Sequence, residues 1–311
     1  MNLNICNTIS NYYFLMYLII TLITYILLKI FIKYMVNYKY GIDIHKTTKN
    51  KVAEMGGIIP VIISSLVIFF YFPIGSLSIL LSGLVGFLDD LYKLSSKIKF
   101  LLMCIIGLIV GLLLGVSPFY LIIAILGIAI YSNFTNMLAG FNGLEIGLGV
   151  ISNLFLGIIL LLNNDFNGFN VVMLFTSSYF GLLLLNKYPA KVFPGDVGTL
   201  PIGAFLFTIA IWKNLIPELV IIMAPHFIDA LLKWSSGFTN REKRSPTKYN
   251  KETGTLYVES NNNGKDYLSL VRCILMKKPM KEYSIVLSVW LISILCGILA
   301  IIYNQYLKII L

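Results

Sequence analysis

Apolar segments long enough to cross a lipid bilayer recur along almost the whole sequence. Of the 311 residues, 58% are hydrophobic and only 12% are charged, whereas about 25% of the residues in a typical soluble domain are charged. So few charges cannot cover the surface of a soluble protein, and lipid must surround most of the chain. This feature predicts an all-α polytopic membrane protein that forms a single domain over residues 1–311.

The apolar segments predict about ten membrane-spanning helices, because each crossing needs about 20 mostly apolar residues. The second and third segments are separated only by a tight turn around Pro73. The predicted spans cover residues 12–35, 57–73, 74–88, 99–116, 118–138, 144–162, 169–186, 197–212, 216–234 and 284–306.

A longer loop, 235–282, precedes the last predicted span. Within this loop we expect a strand at 255–258 and a turn at 261–264. A basic amphipathic segment follows at 267–276, and such segments typically lie on the membrane surface.

Basic residues indicate which side of the predicted bundle faces the cytoplasm. Most lysines and arginines fall in the loops after odd-numbered spans, and the loop at 235–282 is the most basic of them. By the positive-inside rule these loops are cytoplasmic, which places both termini outside. The net charge of +10 is then mainly a topology signal, and we expect no nucleic acid as a partner. Lys29, Lys33 and Lys233 lie near cytoplasmic helix ends, where long side chains can snorkel.

Carboxylate and carboxamide side chains gather at the predicted cytoplasmic ends of the spans. Inserting a carboxylate at the bilayer centre costs at least ~2.5–3.5 kcal/mol of free energy, so a carboxylate near the membrane needs a structural or functional explanation. The clusters consist of Asp89, Asp90, Lys93 and Lys99; of Asn133, Asn136, Asn142 and Glu145; of Phe193 and Asp196; and of Arg241, Lys243 and Arg244.

Each cluster admits a functional and a structural interpretation. Paired acids beside lysines could bind a metal ion together with a phosphate, or they could be a solvated helix end. Asparagines three residues apart could ligate a cation, read a nucleobase or bond a neighbouring helix. Asp196 could merely cap the eighth helix, or it could belong to a phosphate site at that N-terminus. Arginine forks suit pyrophosphate, but a basic loop also serves topology. His226 and Asp229, three apart in the ninth span, could form a polar pair that faces the interior, and packing or topology is favoured over catalysis as their role.

Together these clusters resemble the polyprenyl-phosphate N-acetylhexosamine-1-phosphate transferase family (glycosyltransferase 4 type). More narrowly, they resemble its eukaryotic and archaeal branch, which transfers GlcNAc 1-phosphate from UDP-GlcNAc to dolichyl phosphate. The resemblance rests on GFLDDLYKL at 86–94, NFTNMLAGFNGLEIG at 133–147 and KVFPGDVG at 191–198. An early loop, DIHKTT at 43–48 followed by Glu54, is similar to that branch's donor-binding loop. Departures occur in the last cytoplasmic loop, where EKRS at 242–245 replaces an Arg-His-Arg run, and at Lys93, which replaces an asparagine.

The resemblance implies an enzyme that depends on Mg²⁺, with Mn²⁺ as an alternative ion. It would transfer GlcNAc 1-phosphate from UDP-GlcNAc to a polyprenyl or dolichyl phosphate and release UMP, the first lipid-linked step of glycan assembly for protein N-glycosylation. The enzyme would lie in the cell membrane of an archaeon or the endoplasmic reticulum of a eukaryote, and it could be a homodimer. Another UDP-N-acetylhexosamine donor, or a lipid or solute transporter without catalysis, is the alternative.

The resemblance also implies roles for individual residues. Asn136 and Asp196 would be the protein ligands of the metal ion, and Lys99 would meet the acceptor phosphate. Asp89 and Asp90 would be the acidic pair at the reaction centre. The substrate-binding residues would be Ile44 (through its backbone), Lys46, Glu54, Lys93, Asn133, Asn142, Glu145, Phe193, Arg241, Lys243 and Arg244.

Overall fold

The computed structural model describes residues 3–43, with side chains from Tyr12 onward, and residues 51–237, 247–259 and 268–307. Helices make up most of this part of the chain. They are α1 (Leu3–Met35), α2 (Ile58–Phe69), α3 (Pro73–Tyr92), α4 (Ser96–Leu114), α5 (Pro118–Met137), α6 (Leu144–Leu162), α7 (Phe166–Asn186), α8 (Asp196–Trp212), α9 (Ile216–Ile222), α10 (Ala224–Ser235), α11 (Leu270–Leu275) and α12 (Glu282–Ile302), which continues as a π-helix (Tyr303–Leu307). The described residues also form two antiparallel hairpins. In the first, β1 (Tyr40–Ile42) pairs with β2 (Lys51–Ala53), and in the second, β3 (Lys248–Asn250) pairs with β4 (Thr255–Tyr257).

Helices occupy all the predicted spans, but not all of them are long enough to cross a membrane alone. Among the described residues, seven helices have the length and apolar composition of a span. Helices α2 and α8 are apolar but shorter, with 12 and 17 residues. The predicted ninth span is two helices, α9 and α10, which meet at Met223. Pro225 explains the break, because its ring clashes with the carbonyl four residues earlier in a continuous helix.

The two hairpins correct the prediction of an all-α chain. β4 coincides with the strand expected at 255–258, and α11 lies within the amphipathic segment expected at 267–276. The turn expected at 261–264 lies outside the described residues. Each hairpin is tied to a segment that leads into a helix, since Ala53 bridges to Val192 before α8 and Leu256 bridges to Met280 before α12.

Helix α8 is at the centre of the bundle, and all of its residues from 197 to 211 are buried. It packs against α3 and α5. A Cβ atom on Gly86 would lie 2.4 Å from the backbone of Asp196, and one on Gly203 would lie 2.3 Å from the backbone of Tyr131. Small residues such as these let helix backbones approach closely in a membrane. The polar ends of α3, α5 and α8 are therefore brought together.

A buried ion pair holds α10 and α11 beside the end of α5. Lys233 and Asp229 are one turn apart in α10, with Nζ 2.5 Å from Oδ2. Lys233 also donates to the Met137 carbonyl at 2.5 Å, and the Leu270 N–H donates to Asp229 Oδ1 at 2.9 Å. The expected snorkelling of Lys233 is therefore wrong, because its acceptors lie inside the bundle. Asp229 pairs with Lys233, while His226 is buried in the same helix.

We expect Lys233→Met to lower thermal stability more than the removal of both charges. The single variant leaves Asp229 buried without its cation, and breaking a buried pair on one side costs about 3–5 kcal/mol. Adding Asp229→Asn removes the stranded charge and keeps an oxygen for the Leu270 N–H. Thermal melting in detergent should rank the wild type first, the double variant second and Lys233→Met last. A double variant no more stable than the single variant would contradict this interpretation.

Candidate active site

Polar side chains from α3, α4, α5 and α8 meet where α8 begins. Lys99 Nζ lies 2.9 Å from Asp89 Oδ2 and 2.6 Å from Asp196 Oδ2. Asn136 Nδ2 donates to the same Asp196 oxygen at 2.7 Å. The side chains of Lys99 and Asp89 are each 14% exposed, and that of Asp196 is 21% exposed. Two carboxylates, one cation and one amide thus share a space with limited access to water.

Asp90 holds the start of α8 in place. Its Oδ1 and Oδ2 accept the backbone N–H groups of Asp196 and Val197 at 3.0 and 3.1 Å. The first N–H groups of a helix lack intrahelical partners and carry partial positive charge, so a carboxylate there satisfies them. Gly195, with φ of +70°, turns the chain just before the helix, and a Cβ atom there would lie 2.4 Å from Asp90 Oδ2. Asp90 therefore orients Asp196, while the Lys39 ammonium binds the Asp90 backbone carbonyl.

A cavity of about 310 Å³ opens beside this cluster. Glu145, in the first turn of α6, accepts the Gly140 N–H at 2.8 Å and forms part of the wall. The predicted site residues that line this cavity are Asn136, Asn142, Glu145, Phe193 and Asp196. The structure therefore brings residues of two separate motifs to one space.

A tight turn after α5, with Gly140 and Gly143 on either side of Asn142, carries that asparagine. Gly140 and Gly143 have φ angles of +109° and +84°, a region that residues with a Cβ atom rarely adopt. Asn142 Nδ2 donates to Asp43 Oδ2 at 2.8 Å, and its backbone N–H donates to Glu282 Oε1 at 2.7 Å. The buried Asn142 side chain is thus fixed by the early loop, and its backbone is fixed by the start of α12.

A second cavity, of about 440 Å³, adjoins the first at Phe193 and Gly195, which line both. Its walls carry charged side chains from three segments of the chain. These are Lys39, Glu54, Asp89, Asp90 and Lys93. The predicted residues Glu54, Lys93, Asp89 and Asp90 therefore share this second space.

Some predicted residues do not join the cluster or cannot be placed. Asn133 Nδ2 donates to the Ala129 carbonyl, one turn earlier in α5, at 2.7 Å, and Asn133 lines neither cavity. The remaining predicted residues lie outside the described part of the chain. They are Ile44, Lys46, Arg241, Lys243 and Arg244.

Sequence reasoning did not select three polar residues that line the first cavity, namely Asp43, Asn186 and Thr199. The Thr199 hydroxyl donates to Asn136 Oδ1 at 3.2 Å. Asn186 is 1% exposed and donates to the Val192 carbonyl at 2.9 Å, whereas its Oδ1 has no hydrogen-bond partner among the described residues. Thr199 lies three residues after Asp196 in α8, a spacing that places both side chains on one helix face. Asn186 could have been selected from the sequence because it is a polar residue inside an apolar span.

The pair of Asn136 and Asp196 fits a hard divalent cation. Mg²⁺ prefers oxygen ligands and takes only one or two carboxylates from a protein, with substrate oxygens and water completing its shell. Rotation of the Asn136 amide would turn Oδ1 toward Asp196, and the Thr199 hydroxyl could then accept from Nδ2, because a hydroxyl both donates and accepts. The described ranges contain no group of three or more His, Cys, Asp or Glu side chains suited to a metal ion. An ion held by Asn136 and Asp196 would complete its shell with substrate oxygens and water, as Mg²⁺ commonly does.

Comparison with known proteins identifies the family. Residues 72–214 match glycosyl transferase family 4. A Methanocaldococcus jannaschii protein, provisionally named a glycosyltransferase, is 48% identical over 93% of this chain and 97% of its own length. A Sulfolobus acidocaldarius protein, provisionally named a UDP-N-acetylglucosamine–dolichyl-phosphate N-acetylglucosaminephosphotransferase, is 32% identical over 85% of this chain and 87% of its own.

A bacterial protein shows that the likeness extends beyond the archaea. The phospho-N-acetylmuramoyl-pentapeptide-transferase of Halalkalibacterium halodurans is 30% identical over 67% of this chain and 77% of its own. The family match at 72–214 covers the segments that carry the acidic pair, the asparagines and the start of α8. With its seven apolar helices of spanning length in the described ranges, the chain is an integral membrane protein that belongs to glycosyl transferase family 4.

Proposed function

We propose that this chain transfers GlcNAc 1-phosphate from UDP-GlcNAc to a polyprenyl phosphate of the dolichyl type, forming polyprenyl-diphosphate-GlcNAc and UMP. The observation that carries the proposal is the convergence of Asn136, Asp196 and Lys99 beside two adjoining cavities. Two phosphate-bearing substrates need two spaces and a shared centre of positive charge. The names of the Sulfolobus acidocaldarius and Saccharolobus solfataricus relatives support this donor and acceptor.

The chemistry is one in-line displacement at the β-phosphorus of the donor. An oxygen of the lipid phosphate forms a new bond to that phosphorus, and the bond from the phosphorus to the α–β bridging oxygen breaks. UMP leaves with the bridging oxygen and its electron pair. The attacking phosphate is already ionised, so no proton has to be removed first. The rate therefore depends mainly on positioning two anions and neutralising their charge.

Charge neutralisation falls to Lys99 and to a divalent cation held by Asn136 and Asp196. Mg²⁺, or Mn²⁺ as the alternative, would when bound stabilise the charge that develops on the transferred phosphoryl group. Lys99 faces both carboxylates and would bind the acceptor phosphate as it enters. Asp89 keeps the lysine beside the reaction centre. Both oxygens of Asp90 are occupied by backbone N–H groups, so we assign it to positioning Asp196 rather than to proton transfer.

The first cavity would receive the uridine end of the donor. A carboxamide both donates and accepts, as the edge of uracil does, and Asp43 holds the Asn142 amide in one orientation. The Phe193 ring would give the base an apolar face. A Cβ atom on Gly41 would lie 2.8 Å from Glu54 Oε1 and 3.0 Å from the Phe193 ring, so Glu54 lies close to the same ring. We place this site at the cytoplasmic face, in the first lipid-linked step of glycan assembly such as N-glycosylation.

The proposal predicts UMP release that requires both the lipid and the metal. Protein purified in detergent would be given UDP-GlcNAc, UDP-GalNAc or UDP-glucose, each with and without polyprenyl phosphate, and UMP would be measured. We expect release from UDP-GlcNAc only when polyprenyl phosphate and Mg²⁺ are present, and we expect EDTA to abolish it. Faster release from another donor would reassign the sugar. No release by folded protein with any donor would contradict the transferase assignment.

A further inference from the structure

A third cavity, of about 520 Å³, lies in the loop that precedes the last membrane helix. The β3–β4 hairpin, α11 and the segment 276–279 enclose it. Among the described residues, its lining has no member in common with either cavity of the candidate active site. The described walls of this space are therefore distinct from those of the two active-site cavities.

The charge of this third cavity is positive. Arg272, Lys277 and Lys278 line it, and no Asp or Glu is among the described residues of its wall. Arg272 is 6% exposed, and its Nη2 donates to the Glu259 carbonyl at 2.8 Å, which fixes the guanidinium in the wall. The two lysines are exposed at the rim. A fixed guanidinium with two mobile ammonium groups is a combination that suits phosphate oxygens.

The scaffold around the third cavity is held by hydrogen bonds on both sides. Leu256 and Met280 exchange backbone hydrogen bonds of 2.8 and 3.1 Å, which join the hairpin to the segment before α12. The Ser269 hydroxyl caps α11 by accepting the Arg272 N–H at 3.1 Å, and Asp229 anchors the same helix from α10 through the Leu270 N–H. The cavity is thus formed by the folded loop itself before any ligand enters.

Two features place the third cavity at the membrane surface. The last span covers Glu282–Tyr306, and Lys277 is five residues before it, so the lysine lies within roughly 18 Å of the span even in an extended chain. Helix α10 packs on α11 and exposes 58% of Leu231 and 68% of Trp234. Exposed tryptophan beside apolar residues is typical of the membrane–water interface. Met276, in the cavity wall, is also 57% exposed.

We propose that the third cavity binds the phosphate of an anionic membrane lipid. Basic clusters directly before a membrane helix attract anionic lipids, and here the cluster lines a preformed space with apolar side chains of Leu275 and Met276 beside it. These apolar side chains suit the glycerol end of a lipid and have no counterpart in a free phosphate ion. Lipid binding here is independent of the proposed transferase reaction.

The test measures lipid binding to the full-length protein in neutral detergent by native mass spectrometry. Dioleoyl-phosphatidylglycerol is the anionic probe, dioleoyl-phosphatidylcholine is the neutral probe with the same acyl chains, and inorganic phosphate is added as competitor. Each basic residue near a membrane surface contributes about fivefold in affinity, so Lys277→Gln/Lys278→Gln should weaken phosphatidylglycerol binding about 25-fold. Lys251→Gln, in the exposed turn of the same hairpin and outside the cavity wall, should change it by less than about twofold.

Thermal melting and UMP release in phosphatidylcholine should be the same for the double variant and the wild type, which separates this test from the transferase assay. Equal binding of the two lipids would overturn the proposal. So would a weakening by Lys251→Gln of about fivefold, the effect of one basic residue near a membrane surface, because it would indicate only diffuse surface charge. Displacement of phosphatidylglycerol by millimolar inorganic phosphate would assign the cavity to a soluble anion and would also overturn the proposal.

Discussion

Asp196→Asn is expected to lower the rate of UMP release by about 10³-fold, in keeping with the loss of a catalytic metal ligand and its charge. The variant keeps the size of the side chain but removes the only carboxylate that contacts both Lys99 and Asn136 among the described residues. A neutral amide attracts a divalent cation far less than a carboxylate does. The measurement is UMP release against Mg²⁺ concentration in detergent, with donor and polyprenyl phosphate in excess.

Asp165→Asn is the matched control for this prediction. Asp165 caps α7 through the Gly168 N–H at 2.9 Å and pairs with Lys213 at 2.6 Å. Asparagine is also a good N-cap residue, so this variant should keep near wild-type activity. Near wild-type rates for Asp196→Asn at all Mg²⁺ concentrations would remove the metal assignment. A melting temperature lowered in Asp196→Asn but not in Asp165→Asn would indicate a structural role instead.

Lys99→Met is expected to lower the rate of UMP release by about 10²-fold, the scale found when one preorganised charge-stabilising group is removed. Without the ammonium, Asp89 loses its ion-pair partner, and the anionic acceptor loses the positive charge that is proposed to bind its phosphate. The loss should be largest at low polyprenyl phosphate concentration, because the lysine is proposed to bind that phosphate. Initial rates against lipid concentration provide the measurement, and Lys99→Arg should retain part of the activity.

Lys97→Met is the matched control, since Lys97 is exposed in the first turn of the same helix, whereas Lys99 is the lysine that contacts Asp89 and Asp196. It removes the same charge and should leave the lipid dependence unchanged. If Lys97→Met and Lys99→Met reduced activity equally, the basic helix end would act only through its overall field. If Lys99→Met showed an unchanged lipid dependence, the lysine would have no role in binding the acceptor.

The positions of the helices could be predicted because lipid leaves the backbone few options. A segment in the hydrocarbon core must satisfy its own N–H and C=O groups, which favours helices, and the apolar runs mark where they occur. The break at Met223 was not predicted, because Pro225 interrupts a mostly apolar segment that is long enough for one span. The strands other than β4 were not predicted, because three-residue strands depend on partners such as Val192 and Met280.

Site residues that stand in sequence motifs were predicted, whereas site residues outside the motifs were missed. Asp196 begins α8 as expected, and Asn142 lines the first cavity. Asn133 shares a helix face with Asn136 by spacing, yet it bonds its own helix. Thr199 and Asn186 line the cavity although no motif singled them out, because their position depends on how the helices pack.

The sequence by itself determined that this chain lies in a membrane, where its helices occur and which polar residues stand at their ends, because these follow from local apolar length and charge. Only the tertiary structure decided that Asn136 and Lys99 reach the same oxygen of Asp196, and that Lys233 turns inward to Asp229 rather than outward. The physical reason is that these contacts join side chains on different helices or turns, and their distances are set by close backbone packing at glycines such as Gly86 and Gly203.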